Sequence, residues 1–319
     1  INAIQSAKAG GYEAFVLRLS GDGGSLDFST FLGGGSDDRG YSIALAPDGS
    51  IWLAGEAQST DFPLVNAYDS THNGGADAFL AHLSSSGDTL LSSTLLGGGG
   101  DDVARGVAVD TTGRPWLGGH TLSSDFPLLS PLQFDQGNAD AFVVGFASDG
   151  SAPVFSSYVG GSQQDYATDL ALDSAQRVCI TGYTYSDDFP TENPWQTSRQ
   201  GNYDAFVTRL SNPPTALDYS SYLGGFGEDQ AFSIAVDNRN DIFVVGYTKS
   251  SSFPVQSPLQ SSHGGAQDAF ITHLDSSGQS LVYSTWIGGP VDDVAAAVAI
   301  RATNDAVASG WSGSSDFLS

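Results

Sequence analysis

Paired acidic residues that follow a run of glycines are the chemically most suggestive feature of this sequence. The stretch LGGGGDDVARGVAVD at 96–110 has four glycines, then Asp101 and Asp102. A glycine-rich loop can cradle phosphate, and carboxylate oxygens can hold Ca²⁺. No lysine and no helical periodicity follow the glycines, and the acids lack the spacing of an EF-hand. Both of those motifs are therefore excluded.

The stretch belongs to a unit that recurs five times. A tripeptide with central Ala and final Phe begins at Glu13, Asp77, Asp140, Asp204 and Asp268, at steps of 63 or 64 residues. Each tripeptide is followed in order by motifs of the type SSTLLGG, GVAVD and SDFP. Recurrence in every copy indicates that a residue is required by the fold, whereas a position that differs between copies is free to serve function.

Two sets of acids recur and are the candidate metal ligands. The first comprises Asp38, Asp102, Asp165, Asp229 and Asp293, preceded by Asp37, Asp101, Gln164, Glu228 and Asp292. The second precedes Phe-Pro or its equivalent and comprises Asp61, Asp125, Asp188 and Asp316, with Ser252 in the fourth unit. Two interpretations are open: the carboxylates accept backbone N–H groups and pin turns, or they coordinate Ca²⁺ together with glycine carbonyl groups.

Two positions vary sharply between the units and are the candidate ligand-binding residues. Each unit is predicted to contain four strands, as argued below. The residue that follows the glycine of the second of these strands is Glu56, His120, Tyr183, Tyr247 or Trp311. Near the start of the first strand stand Tyr41, Arg105, Thr168, Phe232 and Ala296. Aromatic faces with a few hydrogen-bonding groups suit sugars or peptide side chains. The alternative is a variable, solvated rim.

Four strands per unit would position these residues. Alternating apolar residues and Gly-, Asp- and Asn-rich turns predict strands, and no segment has a convincing helical pattern. Four-stranded units repeated radially are typical of a β-propeller. We therefore predict an all-β, five-bladed propeller with four antiparallel strands per blade, formed by residues 1–319 as one domain. Residues 294–319 and 1–33 would share the last blade and close the ring, with 319 meeting 1 in phase.

The repeat resembles the SBBP β-propeller family. The resemblance rests on DAFVTRL, YSSYLGG, GEDQAFSIAVD, VGYT and SFP in residues 204–254, and the same motifs recur along the whole chain. It implies a secreted or cell-surface protein of bacteria or archaea and no catalytic residues to carry over.

The charge and composition of the chain limit the classes of partner that it can bind. The net charge is −25, which disfavours nucleic acid and anionic membrane surfaces and favours cations. No apolar run is long enough to span a membrane, so no membrane insertion is expected. Cys179, the one cysteine, lies in an apolar run and is expected to be structural. The chain starts at Ile1 and has no Met, so we expect a mature or excised segment.

These observations favour a non-catalytic extracellular or cell-surface scaffold or recognition module. It would bind a protein or glycan through one acidic, loop-rich face, with Ca²⁺ as its only candidate cofactor. One alternative is a carbohydrate-active enzyme, which needs two carboxylates across one sugar. Of the acids that break the repeat, Glu56 is best placed, and no second acid clearly faces it. The other alternative is a structural subunit that self-assembles on a surface.

Overall fold

The computed structural model describes residues 3–317, which form twenty strands and no helix. The predicted junction of residue 319 with residue 1 lies outside the described residues. The chain divides into two compact units, each described by itself below. The first contains residues 3–135 and 141–158, and the second contains 136–140 and 159–317.

The first unit holds a two-stranded sheet and two four-stranded antiparallel sheets in chain order. The two-stranded sheet consists of β1 (Ala14–Leu19) and β2 (Leu26–Leu32). The next sheet consists of β3 (Asp38–Leu45), β4 (Ile51–Ala57), β5 (Asp77–Leu83) and β6 (Leu90–Leu96). The last consists of β7 (Asp102–Val109), β8 (Pro115–Thr121), β9 (Asp140–Phe146) and β10 (Pro153–Val159).

The second unit repeats the pattern with two four-stranded sheets and a final two-stranded one. The first sheet consists of β11 (Asp165–Leu172), β12 (Val178–Thr184), β13 (Asp204–Leu210) and β14 (Leu217–Leu223). The next consists of β15 (Asp229–Val236), β16 (Ile242–Thr248), β17 (Asp268–Leu274) and β18 (Leu281–Ile287). The last consists of β19 (Asp293–Ile300) and β20 (Ala306–Ser312).

The structure thus has repeated four-stranded antiparallel sheets of the predicted order. It differs from the prediction at the two ends of the chain, because β1–β2 and β19–β20 form separate two-stranded sheets instead of one shared blade. Large apolar side chains on these strands are consequently exposed, including Phe15, Leu17, Val307 and Trp311.

The loop between the second and third strands of each complete sheet is held by an aromatic pair. The Phe of the Phe-Pro motif packs on the Phe of the tripeptide that opens the third strand, with ring centroids 4.5 to 4.7 Å apart. These pairs are Phe62–Phe79, Phe126–Phe142, Phe189–Phe206 and Phe253–Phe270. All eight rings are buried, so each loop is closed onto the core of its own sheet.

Candidate functional site

The recurrent acid at the start of each first strand pins the turn that precedes it. We call these five residues the junction aspartates: Asp38, Asp102, Asp165, Asp229 and Asp293. All are fully buried. In each, Oδ2 accepts the N–H of the second glycine of the preceding pair at 2.6 to 2.8 Å. The same oxygen accepts the hydroxyl of a serine two residues before the Phe-Pro acid at 2.6 to 2.9 Å.

The acids of the Phe-Pro motif reach the same turn from the other side. Asp61 accepts the N–H of Gly35, Asp125 that of Gly99, and Asp188 that of Ser162, each at 2.8 Å. In the fourth unit the hydroxyl of Ser252 accepts the N–H of Phe226 at 2.9 Å. The substitution of serine for aspartate therefore preserves the contact.

Acids one position earlier act differently. Asp37 and Asp101 accept the N–H of Tyr12 and Ala76, and Glu228 forms an ion pair with Lys249 at 2.6 Å. Among residues 3–317, no group of three or more His, Cys, Asp or Glu side chains is placed to hold a metal ion. The N–H and O–H donors named above engage Oδ2 of each junction aspartate and compete with a cation for that oxygen, whereas Oδ1 of Asp102, Asp165 and Asp293 is buried and accepts no hydrogen bond.

Burial raises the pKa of three junction aspartates. Removal from water raises the pKa of Asp102, Asp165 and Asp229 to about 6, although hydrogen bonds from hydroxyl groups and glycine N–H groups oppose the change. Desolvation also raises the pKa of Asp77, the first residue of β5. The three junction carboxyl groups therefore take up a proton in mild acid, whereas the desolvation of Asp293 is outweighed by hydrogen bonds from Ser312, Gly289 and Ser314, which lower its pKa.

The variable residues of the first strands occupy β-bulges. In all five first strands the pairing with the second strand skips one residue, and that extra residue is variable. The bulged residues are Tyr41, Arg105, Thr168, Phe232 and Ala296. A bulge re-aims the side chain of its extra residue and is common beside functional sites.

The other variable set lies on the second strand, opposite the residue two positions before each bulged residue. Glu56, His120, Tyr183, Tyr247 and Trp311 pair with Arg39, Val103, Tyr166, Gln230 and Val294, respectively. We refer to the two variable sets together as the display positions. They include the eight residues predicted as ligand-binding, so the structure brings each predicted pair together at one bulge.

Display positions of the first unit carry charge. The guanidinium of Arg105 lies over the ring of Tyr41 at 4.1 Å, and Arg39 forms an ion pair with Glu56 at 2.6 Å. Burial, with a smaller effect of Arg105, lowers the pKa of His120 to about 4, so this imidazole is neutral at physiological pH.

Display positions of the second unit form an aromatic cluster. Tyr183 stacks on Tyr166 with centroids 5.0 Å apart and packs on Tyr203 at 5.5 Å. Tyr203 also contacts Tyr185 at 4.8 Å, and its hydroxyl lies 2.7 Å from that of Tyr247. Phe232 continues the series to Tyr247 at 5.8 Å and to Trp311 at 6.3 Å.

Acids that break the repeat have local partners. Glu56 is paired with Arg39, and Asp187 with Arg199 at 2.7 Å. Asp169 accepts the hydroxyl of Ser233 at 2.8 Å. Cys179 is buried, and desolvation raises the pKa of its thiol to about 12, which is the opposite of an activated nucleophile.

Sequence reasoning missed two groups. The first is the set of serines that bind the junction aspartates: Ser59, Ser123, Ser186, Ser250 and Ser314. Their recurrence two residues before the Phe-Pro acid was a detectable signal. The second is Tyr166, Tyr185 and Tyr203, which occur in single units and give no signal until the strands are paired.

Comparisons of the sequence with known proteins found one repeat family and one curated relative. The model of the SBBP family, described as a β-propeller repeat, matches residues 154–190 and 218–254. The regulatory protein FlaEY of Caulobacter vibrioides is 24% identical over 310 residues, covering 90% of this chain and 32% of FlaEY. The chain thus spans about a third of the length of this curated relative.

Solved structures are also similar to the chain. A protein of unknown function from Dyadobacter fermentans has 13% identity and a TM-score of 0.42, covering 78% of this chain and 68% of its own. BamB from Moraxella catarrhalis has 10% identity and a TM-score of 0.30, covering 92% of this chain and 88% of its own.

Proposed function

Because the chain carries SBBP β-propeller repeats, we propose that it is a non-catalytic binding module that recognises a partner through its display positions. The observation that supports this proposal is that some positions recur in every unit and others vary between units. Glycines, junction aspartates, serines and phenylalanines recur as a frame, whereas the display positions vary between the units. The name of FlaEY as a regulatory protein accords with a binding role.

A carbohydrate-active enzyme is disfavoured by the surroundings of Glu56. A glycosidase needs two carboxylates about 5–10 Å apart in distinct environments. Glu56 is engaged in an ion pair with Arg39, and Asp169 and Asp187 are bonded to Ser233 and Arg199.

We infer that the recurrent aspartates pin turns instead of binding Ca²⁺. The support is that Asp38, Asp102 and their equivalents already accept one backbone N–H and one hydroxyl at the same oxygen. A carboxylate that satisfies several buried donors stabilises the fold without a cation.

We further propose that β19–β20 and β1–β2 complete a fifth blade and close the ring. In the complete sheets the second strand pairs with the third; for example, Leu53 lies opposite Ala81. The same register would set Ala308 of β20 opposite Leu17 of β1, and both are exposed in their separate sheets. Pairing would remove two free strand edges, which otherwise favour aggregation.

Closure predicts a specific disulfide. The double variant Leu17→Cys/Ala308→Cys should oxidise within the monomer, while Leu17→Cys/Ser309→Cys, one residue out of register, should not. Oxidation only between two molecules would contradict closure and indicate that a second copy supplies the missing strands.

An extracellular or cell-surface location is proposed from the family resemblance alone. Protease shaving of intact cells of the source organism would remove the protein if it is exposed. Protection until the cells are lysed would contradict this location.

Glycan and peptide arrays test the binding function. The wild type should bind a defined class of probe, and the variant Phe232→Ser/Trp311→Ser should lose part of that binding while it unfolds at a similar temperature. The control Val154→Ser changes an apolar residue of β10 that is 41% exposed and not at a display position. Equal loss in the control, or binding unchanged in the double variant, would contradict the proposal.

A further inference from the structure

We propose that the aromatic cluster of the second unit binds a lysine- or arginine-bearing segment of a partner protein. This proposal rests on the proposed binding function and names the chemistry of its partner. The aromatic cluster comprises Tyr166, Tyr183, Tyr185, Tyr203, Tyr247, Phe232 and Trp311.

Its rings present partly exposed faces on one surface. Tyr166, Tyr183 and Tyr185 are each half-buried. Tyr183 meets Tyr185 nearly edge-on, with centroids 6.1 Å apart and planes at 67°. The half-buried rings are partly accessible to solvent, and a cation over a tyrosine face gains about 0.5–2 kcal/mol.

The cluster is held rigid from beneath. Tyr203 is only 7% exposed, and its hydroxyl lies 2.7 Å from that of Tyr247 and 3.2 Å from Oε2 of Glu228. Burial, followed by the contact with Tyr247, raises the pKa of Tyr203 well above its ordinary value, so the ring stays neutral. A preorganised aromatic surface loses little conformational entropy on binding, as is typical of tyrosine-rich binding sites.

The charges beside the aromatic cluster and the net charge of the chain favour a basic partner over an acidic one. Asp187 and Asp188 lie two and three residues after Tyr185 and are exposed, and Glu228 borders Tyr203. Arg199 and Lys249 form ion pairs with Asp187 and Glu228, so these three acids exceed the two cations by one negative charge. The chain as a whole carries a net charge of −25, which speeds association with cations and repels anions.

Peptide binding measured by fluorescence anisotropy tests the proposal. The probes are a labelled peptide of alternating Lys and Gly, its Arg counterpart and a matched Glu peptide. The key variant is Tyr183→Ser/Tyr185→Ser, which leaves the net charge unchanged. The control Tyr68→Ser removes an exposed tyrosine of the first unit, again without a change in charge.

We expect the wild type to bind the Lys or Arg peptide and not the Glu peptide. The double variant should lose at least about tenfold in affinity, and Tyr68→Ser should not. Tyr185→Phe keeps the ring and should retain binding, which guards against a loss through misfolding. Equal binding by the double variant would show that net charge alone attracts the peptide and would overturn the proposal.

The failure of this proposal is distinguishable from failure of the binding function. If no basic peptide binds but an array ligand is lost in Tyr183→Ser/Tyr185→Ser, the partner chemistry is wrong and the display positions still bind. If no basic peptide binds and array ligands respond neither to these substitutions nor to Phe232→Ser/Trp311→Ser, both proposals fail.

Discussion

The carbonyl oxygen of Tyr166 occupies the space that a Cβ atom on Gly182 would need. The bulge at Thr168 brings the first strand this close to the second, and the same overlap occurs at Gly55, Gly119, Gly246 and Gly310. The recurrent glycine is therefore the condition for the bulge, and the bulge sets the direction of the variable side chains. An invariant residue of the frame in this way determines where the display positions point.

Gly182→Ala should destabilise the protein by about 2–4 kcal/mol, because the methyl group would push against backbone atoms that cannot rotate away. Chemical denaturation followed by fluorescence measures the change in the free energy of unfolding. Gly21→Ala is the matched control, since a Cβ there meets nothing within 4 Å. A similar cost at both positions would contradict the steric explanation.

Ser123→Ala should cost about 1–3 kcal/mol, because it removes a hydroxyl donor from the buried carboxylate of Asp102. Ser86→Ala removes an equally short hydrogen bond to Asp88, but in an exposed turn. Thermal unfolding should separate the two variants clearly. If Ser123→Ala is as harmless as Ser86→Ala, the serine is not part of the frame.

Asp102→Asn should make stability depend less on pH. The raised pKa of Asp102, about 6, means that the folded state holds this proton more tightly than the unfolded chain does. Its stabilising effect is complete below about pH 4 and is lost as the pH rises through 6. The variant should therefore gain about 1–3 kcal/mol relative to wild type between pH 4 and 7.

Asp88→Asn provides a control of opposite sign. Hydrogen bonds, chiefly from Ser86, lower the pKa of Asp88, so its contribution is present above the ordinary pKa and is lost as the pH falls. This variant should be less stable than wild type by a constant amount from about pH 4 to 7, and the difference should shrink as the pH falls below about 4. Parallel pH profiles for the two variants would contradict the assignment.

Removal of divalent cations should leave the unfolding temperature unchanged. A ligand that binds only the folded state raises stability with its concentration. If the recurrent aspartates pin turns, EDTA and added Ca²⁺ should give the same melting curve, and purified protein should contain no stoichiometric metal. A rise that grows with Ca²⁺ concentration would restore these aspartates as cation ligands.

Recurrence within the chain made much of the frame predictable. The five copies predicted the order of the strands. The second acidic position after each glycine pair is one of the buried junction aspartates. The role of that acid was left between two interpretations, because the same oxygens suit an N–H donor and a cation. Only the positions of Gly98 and Ser123 around Asp102 show which donors it accepts.

Other features depend on pairing that no single residue reveals. A bulge is a mismatch between two strands, so Phe232 was identified from the sequence as a variable position, but its place in a bulge became visible only when its neighbours were aligned with Gly246 and Val245. Tyr203 lies 44 residues from Tyr247 along the chain, and only the fold makes them partners.

The division between frame and display positions is tested most directly by one scan. Every residue of the first and second strands, and of the serine-containing turn after the second strand, is substituted, and the stability of each variant is read from protease resistance. We predict that substitutions at Asp165, Gly182 and Ser186 abolish resistance, while those at Arg105, Thr168, Phe232 and Trp311 leave it near the wild-type level. Equal intolerance at both sets would contradict the account, because the variable residues would then belong to the core and not to a binding surface.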